Sequence, residues 1–237
     1  MKKAVVFIHG FVGNPRQFDN LIKVVENEGF TAFALTLPGH GTTTKAFSRA
    51  TMEDWQNCVN DEVKQLSTDY DQIFLVGHSM GCLLAINASV EYSKQVTGLF
   101  FIACPLKQRG LSFDAIKARV IFIFCRKSNP IKAAYLKGAG VPLSLPMLWR
   151  SIKPAAELKK LIKLTNNNLN NITVPVIAVF MASDEVISMK SLDMLKAGLT
   201  NTSLEYIILP KALHAYFPPK EEIQVEEALL ELVRIKK

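Results

Sequence analysis

Gly77-His78-Ser79-Met80-Gly81 stands between an apolar run at 73–76 and a helix-like stretch at 82–92. A serine flanked by glycines two places either side, on a strand-to-helix turn, reads as a nucleophile raised above a sheet edge. The glycines let the turn close tightly, and the next helix aims its free N–H groups at the reacting carbonyl. Serine needs a base to take its proton. On this kind of turn the partners follow in chain order: serine, acid, histidine. Of the four histidines, His9, His40, His78 and His214, one lies beyond Ser79, which selects His214. The acid must orient that imidazole and balance its charge. Asp184 follows directly on the apolar run at 174–180, which puts it at the same strand edge as Ser79. Glu185 is its nearest rival, and Asp193 falls on a following helix. An oxyanion needs two donors. The N–H of Met80 is one, and the N–H of Phe11, in the loop His9-Gly10-Phe11-Val12-Gly13, is the other. His9 reads as a support for that loop.

These residues need a frame. Apolar runs at 4–8, 32–35, 73–76, 99–103, 174–180 and 206–209 alternate with helix-like stretches, the pattern of a parallel sheet wrapped by helices. The runs are nearly continuous, as in strands buried on both faces. Asn14-Pro15 opens the first helical stretch and Gly29 ends it, while Thr51 with Asp54 forms a capping pair for the next. The last helix starts after Pro218-Pro219, with Glu221 and Glu222 near its positive end and Lys236-Lys237 near its negative end. The alternation breaks at 105–173, a segment too long for one crossover helix. It holds an apolar run at 120–124 and a clear helical piece at 155–164, and its asparagine-rich stretch at 166–171 reads as a return linker. The expected domains are a core of 1–104 and 174–237 and an inserted lid of 105–173.

At 237 residues the chain suits one domain with an insertion. Apolar runs of five to eight residues fall far short of the roughly 20 that span a bilayer. The fold starts at residue 4 with no leader pattern before it, so a cytoplasmic protein is expected. Cys58, Cys82, Cys104 and Cys125 lack paired spacing and read as free thiols, none in an activating motif. Metal-ligand spacing and G-x-G-x-x-G after a strand are both missing, so no metal or organic cofactor is expected.

Taken together, His9-Gly10-Phe11, Pro38-Gly39-His40-Gly41, Gly77-His78-Ser79-Met80-Gly81, Asp184 and His214 span almost the whole chain. Their order resembles that of the α/β hydrolases, among them bacterial carboxylesterases and monoacylglycerol-lipase-like enzymes. The resemblance implies an α/β-hydrolase fold, a Ser79–Asp184–His214 triad, an oxyanion hole at Phe11 and Met80, and a lid between the fourth and fifth strands. Two departures stand out. The first run matches the family's third strand, which implies a six-stranded, mostly parallel sheet. Leu213-His214-Ala215 lacks the glycine often found before the histidine.

Ester cleavage through an acyl-enzyme is the expected chemistry, on short- to medium-chain acyl esters or monoacylglycerols. The same triad could instead serve a thioesterase or a carbon–carbon-bond hydrolase or lyase. A ligand-binding receptor with a hydrolase-like pocket is the reading of another class. Phe113, Ile116, Ile121, Phe122, Phe124, Leu143, Leu145, Met147, Leu148 and Trp149 would either line an acyl pocket or form the lid's own core. Segment 105–173 carries thirteen Lys and Arg against Asp114 and Glu157, a net +11 in a chain of +7. A solvated basic face or a peripheral contact with anionic membrane both fit that asymmetry. A nucleic-acid partner does not, for want of a motif or stacking platform.

Overall fold

The computed structural model describes residues 2–109, 129–141 and 145–235. Six strands, β1 (Lys3–Ile8), β2 (Thr31–Leu35), β3 (Gln72–His78), β4 (Val96–Ile102), β5 (Val176–Met181) and β6 (Leu204–Leu209), form one sheet. Its order is β2-β1-β3-β4-β5-β6, and every neighbouring pair is parallel. All six apolar runs became strands. Continuous burial holds for β3, β4 and β5 and nearly so for β1, but the edge strands β2 and β6 each keep exposed positions. An edge strand has one neighbour fewer, and helices do not fully cover it.

The chain runs outward from β1 to β2, then returns to the other side of β1 for β3. Such a reversal opens a crevice at the carboxyl ends of β1 and β3, where ligands of open α/β sheets bind. The loops after β1 and β3 carry Phe11 and Ser79 to that crevice.

The helices form for legible reasons. Asn14 caps a short 3-10 turn, Pro15–Phe18, which leads into α1 (Asp19–Asn27), and Gly29 follows at φ 81°. A short α2 (Thr44–Phe47) precedes α3 (Met52–Leu66), whose Thr51 and Asp54 complete a capping box and whose Trp55, Val59, Val63 and Leu66 face the core. Helix α4 (Met80–Glu91) is buried along nearly its whole length beneath the sheet's covering layer. Helices α8 (Lys190–Gly198) and α9 (Pro219–Val233) complete the layers.

Between β4 and β5 the described part of the insertion comprises α5 (Pro130–Gly138), α6 (Leu145–Arg150) and α7 (Ile152–Asn168). The asparagine-rich stretch expected to be a linker is the end of α7 and the 3-10 turn Leu169–Asn171. Thr165 and Leu169 are buried there. Asn87 donates to the Thr165 hydroxyl (3.1 Å), and Asn168 donates back to Asn87 (3.0 Å). Asparagine is a weak helix former, but these contacts supply what propensity lacks. Through Leu158, Leu161 and Thr165, α7 packs on α3 and α4 and so joins the helical layer of the core. Met147 is buried and Trp149 is 78% exposed. The apolar run at 120–124, the pocket candidates Phe113, Ile116, Ile121, Phe122, Phe124 and Leu143, Cys125 and Lys236-Lys237 lie outside the described residues.

Candidate active site

Ser79 sits at the tip of the β3–α4 turn with φ 52° and ψ −120°, a conformation that costs about 1–3 kcal/mol and persists only where the surroundings impose it. The imposing neighbours are identifiable. A Cβ on Gly77 would overlap the backbone of Cys82, and one on Gly81 would overlap the carbonyl of Ile8 at the end of β1. The Ser79 N–H donates to the carbonyl of Ile102 (2.8 Å), which ties the turn to β4. Met80 is the first residue of α4, so its N–H is among the helix donors with no intrahelical partner.

The Phe11 loop is fixed from behind. Leu37 N–H donates to His9 Nε2 (3.1 Å), so the proton of this ring sits on Nδ1, which donates to the Gly10 carbonyl (2.9 Å). Gly13 N–H donates to the same oxygen (2.9 Å). A trans peptide is planar, so anchoring the Gly10 carbonyl also fixes where the Phe11 N–H points. Burial first, then the nearby His40, push the His9 pKa down to about 3, which keeps the ring in this neutral form. His40 Nε2 donates to the Phe11 carbonyl (2.6 Å), and burial lowers its pKa too. The Trp55 indole donates to the Pro38 carbonyl (3.1 Å) and steadies the loop that holds His40.

Asp184 and His214 meet as expected: Nδ1 lies 2.9 Å from Oδ2. The other carboxylate oxygen, Oδ1, accepts from the N–H groups of Val186 (2.7 Å) and Ile187 (2.8 Å), so the acid is oriented before the histidine arrives. Burial acts to raise the Asp184 pKa, yet the charge and hydrogen bond of His214, with those two amides, hold it below the ordinary carboxylate value. Burial likewise acts to lower His214, but Asp184, and then Glu185, lift it above the ordinary imidazole value. The three other histidines shift the opposite way; burial, then His214, push His78 down to about 3. His214 is therefore the histidine suited to accept a proton.

His78 joins the two halves. Its Nε2 donates to the His214 carbonyl (2.8 Å), and the two rings lie 4.9 Å apart. The residue beside Ser79 thus holds the loop that carries His214. Among the described hydrogen bonds none links the Ser79 hydroxyl to His214; nucleophile–base bonds often tighten only once substrate is in place.

Three supports were not foreseen. Glu185, weighed as a rival acid, is buried and accepts from the His214 N–H (3.2 Å) instead of its ring. Glu221, read as a helix-dipole residue, turns back to accept from the N–H groups of Lys211 (3.1 Å) and Ala212 (2.7 Å). His78 is the third. With the mutual backbone bonds of Leu213 and Tyr216, they hold a histidine loop that has no glycine before His214. Pairs so distant in sequence leave no local signal. Only the family motif around Ser79 pointed toward one of them. Burial raises the pKa of the Cys104 thiol, and burial with Glu62 and Asp61 raises that of Cys58, so both are held toward the un-ionised form. Among the described residues no His, Cys, Asp and Glu cluster could hold a metal ion.

The family model for serine aminopeptidase, S33, matches residues 1–133, more than half of the chain and all of the segment from the Phe11 loop through Ser79. The chain belongs to the S33 family. It is an esterase/lipase-like α/β hydrolase. A thermostable monoacylglycerol lipase of Bacillus sp. (strain H-257) is 25% identical over 96% of this chain and 89% of its own length. A carboxylesterase of Bacillus subtilis is 28% identical over 44% of this chain and 42% of its own. The S33 fold recurs in solved structures. One from the metagenome-derived lipolytic enzymes LipS and LipT has a TM-score of 0.78 at 20% identity, covering 99% of this chain and 95% of that one. A Paleococcus ferrophilus monoacylglycerol lipase gives 0.70 at 17% identity, covering 97% and 93%.

Proposed function

We propose that this S33 hydrolase cleaves carboxylic esters through Ser79, with His214 as base, Asp184 as its orienting acid, and the N–H groups of Phe11 and Met80 as the oxyanion hole. The observation that carries the reading is the His214–Asp184 pair, 2.9 Å apart and with opposed pKa shifts, on a loop held by the neighbour of a strained serine. Ser79 Oγ adds to the ester carbonyl as its proton passes to His214 Nε2. The tetrahedral oxyanion is held by the two amides and collapses, and His214 returns the proton to the departing alcohol. Water, deprotonated by His214, then adds to the acyl-enzyme; Ser79 leaves with the proton, and the carboxylic acid is released.

The proposed substrates are short- to medium-chain acyl esters or monoacylglycerols, seated under a cap formed by the insertion between β4 and β5. Similarity to the Bacillus monoacylglycerol lipase over nearly the full chain favours that class. The cap's basic residues, with Trp149 and Ile152 exposed beside Arg150 and Lys153, suit peripheral contact with an anionic lipid surface.

A panel of p-nitrophenyl esters, monoacylglycerols, acyl-CoA thioesters and aminoacyl amides tests the substrate class. Ester turnover should dominate and vanish in Ser79→Ala. A fluorophosphonate probe should add one adduct at Ser79, because it reports an activated serine. Labelling of a cysteine, or equal labelling of Ser79→Ala, would overturn the nucleophile assignment. Ligand binding without turnover would favour a receptor.

A further inference from the structure

The insertion is bonded to the catalytic loops, and the bonds converge on one helix. At the end of α5, Gly140 N–H donates to the Val12 carbonyl (2.7 Å), and Gly41 N–H donates to the Gly140 carbonyl (2.8 Å). Ala139 forms a bridge with Gly13, and the Asn14 side chain donates to the carbonyls of Lys137 (3.0 Å) and Ala139 (2.7 Å). This approach is close: a Cβ on Gly140 would overlap the Gly13 carbonyl. Along the side of α5, the Tyr135 hydroxyl donates to Glu185 Oε1, and Glu185 Oε2 accepts from the His214 N–H. The start of the insertion is bonded to the acid's loop as well. Arg109 N–H donates to the Val186 carbonyl (2.9 Å) and Ser188 N–H to the Lys107 carbonyl (3.0 Å), either side of a Gln108–Ile187 bridge.

We propose that α5 is a fixed strut that positions the Phe11 loop from its end and the His214 loop from its side, with Tyr135, Glu185 and Gly140 as positioning residues. The inference rests on the triad reading above. The two anchors lie close together on this nine-residue helix: Tyr135 is in its last turn and Gly140 follows its end, so one rigid piece of chain touches both loops. The two loops it touches must agree in position, because the oxyanion donors and the base act on the same tetrahedral centre. A misplacement of about 1 Å there costs on the order of 100-fold in rate. Anchored at both places, α5 makes the seat of the cap and the geometry of catalysis one property.

Glu185 has a second consequence. Among the described residues, the titratable groups facing His214 are Asp184 and Glu185 from the loop after β5 and His78 from the turn after β3. Among the described bonds, those facing Glu185 are His214 and, from α5, Tyr135; the Arg109 guanidinium bonds the Ile187 carbonyl nearby. His78 is neutral, so Glu185 is the second negative charge that supports a protonated His214.

Three single variants and one double variant test the strut on a p-nitrophenyl ester, with fluorophosphonate labelling run alongside. Gly140→Ala should lower kcat about 10-fold or more while KM changes less than about 3-fold, since loop placement and not binding is disturbed. Glu185→Gln should move the acid limb of kcat/KM to lower pH, which a merely structural side chain would not do. Tyr135→Phe keeps the volume and should lower kcat several-fold, yet have little further effect in the Glu185→Gln background. Wild-type kcat in both Gly140→Ala and Tyr135→Phe would overturn the strut. So would independent, multiplicative effects of Tyr135→Phe and Glu185→Gln, or an acid limb that Glu185→Gln leaves in place. Failure of the triad reading looks different: the wild-type protein would not label at Ser79.

Discussion

Four histidines crowd this site, and burial sorts them into two jobs. His9, His40 and His78 are held neutral, and each spends a ring N–H on a carbonyl: Gly10, Phe11 and His214 respectively. Among the described contacts, His214 alone of the four has a carboxylate on its ring, and it is driven toward the protonated form. The sign of the pH dependence follows. A general base works only when neutral, so kcat/KM should fall as pH drops through the His214 pKa, at a limb above the ordinary imidazole value of 6.5. Asp184→Asn removes the largest upward influence and leaves burial, which lowers the pKa. The limb should therefore move to lower pH while kcat falls by about 10⁴-fold, because the imidazole also loses its orienting partner. Stopped-flow or steady-state ester hydrolysis from acid to mildly alkaline pH reads both effects. Greater damage from Glu185→Gln than from Asp184→Asn would mean that the acid is misassigned.

At the scale of elements, the site depends on loops that regular structure pins at several points. Glu221 is the sharpest case: a residue of α9 accepts two N–H groups from the strand of chain that leads to His214. A hydrogen bond to a charged group contributes about 1.5–3 kcal/mol. Glu221→Gln should weaken this anchor and lower stability by about 1–2 kcal/mol in denaturant unfolding. Hydrogen exchange at the amides of Lys211 and Ala212 should rise with the rest of the sheet unchanged; unaltered exchange there would remove the anchoring role. The six strands, the glycine-framed turn, the Thr51–Asp54 capping box and the Asp184–His214 pair were all legible in sequence because each has a local signature: an apolar run, a fixed spacing or a chain order. What escaped was of one kind. Glu185, Glu221 and His78 act through partners 29, 9 or more, and 136 residues away, and no periodicity records such a pairing. The asparagines of α7 misled for the same reason. Their composition reads as linker, and the bonds that Thr165 and Asn168 make with the facing Asn87 leave no mark in it.

The whole molecule divides its charge unevenly, with the insertion at +11 in a chain of +7. The described part of that segment exposes Trp149 (78%) and Ile152 (62%) at the junction of α6 and α7, beside the exposed Arg150 and Lys153. Lys159, Lys160 and Lys163 follow along α7, although Lys160 is partly engaged by Glu157 at 2.7 Å. Among the described residues no helix is long and apolar enough to cross a membrane. Each Lys or Arg close to an anionic bilayer contributes about 1 kcal/mol, within a Debye length of about 8–10 Å at physiological salt. Four such residues with one tryptophan at the headgroup level are enough for reversible binding. Co-sedimentation should then find the protein with anionic vesicles and not with neutral ones, and the bound fraction should fall as salt rises from about 50 to 500 mM. Trp149→Ala should weaken binding at every salt concentration, since it removes buried apolar area, whereas Lys153→Ala should mainly flatten the salt dependence. Equal recovery with neutral and anionic vesicles at low salt would reduce the asymmetry to a solvated basic face. Hydrolysis of a water-soluble ester, measured in the same variants without vesicles, should stay at the wild-type rate, because both side chains are exposed and no described hydrogen bond ties either to Ser79, Asp184 or His214.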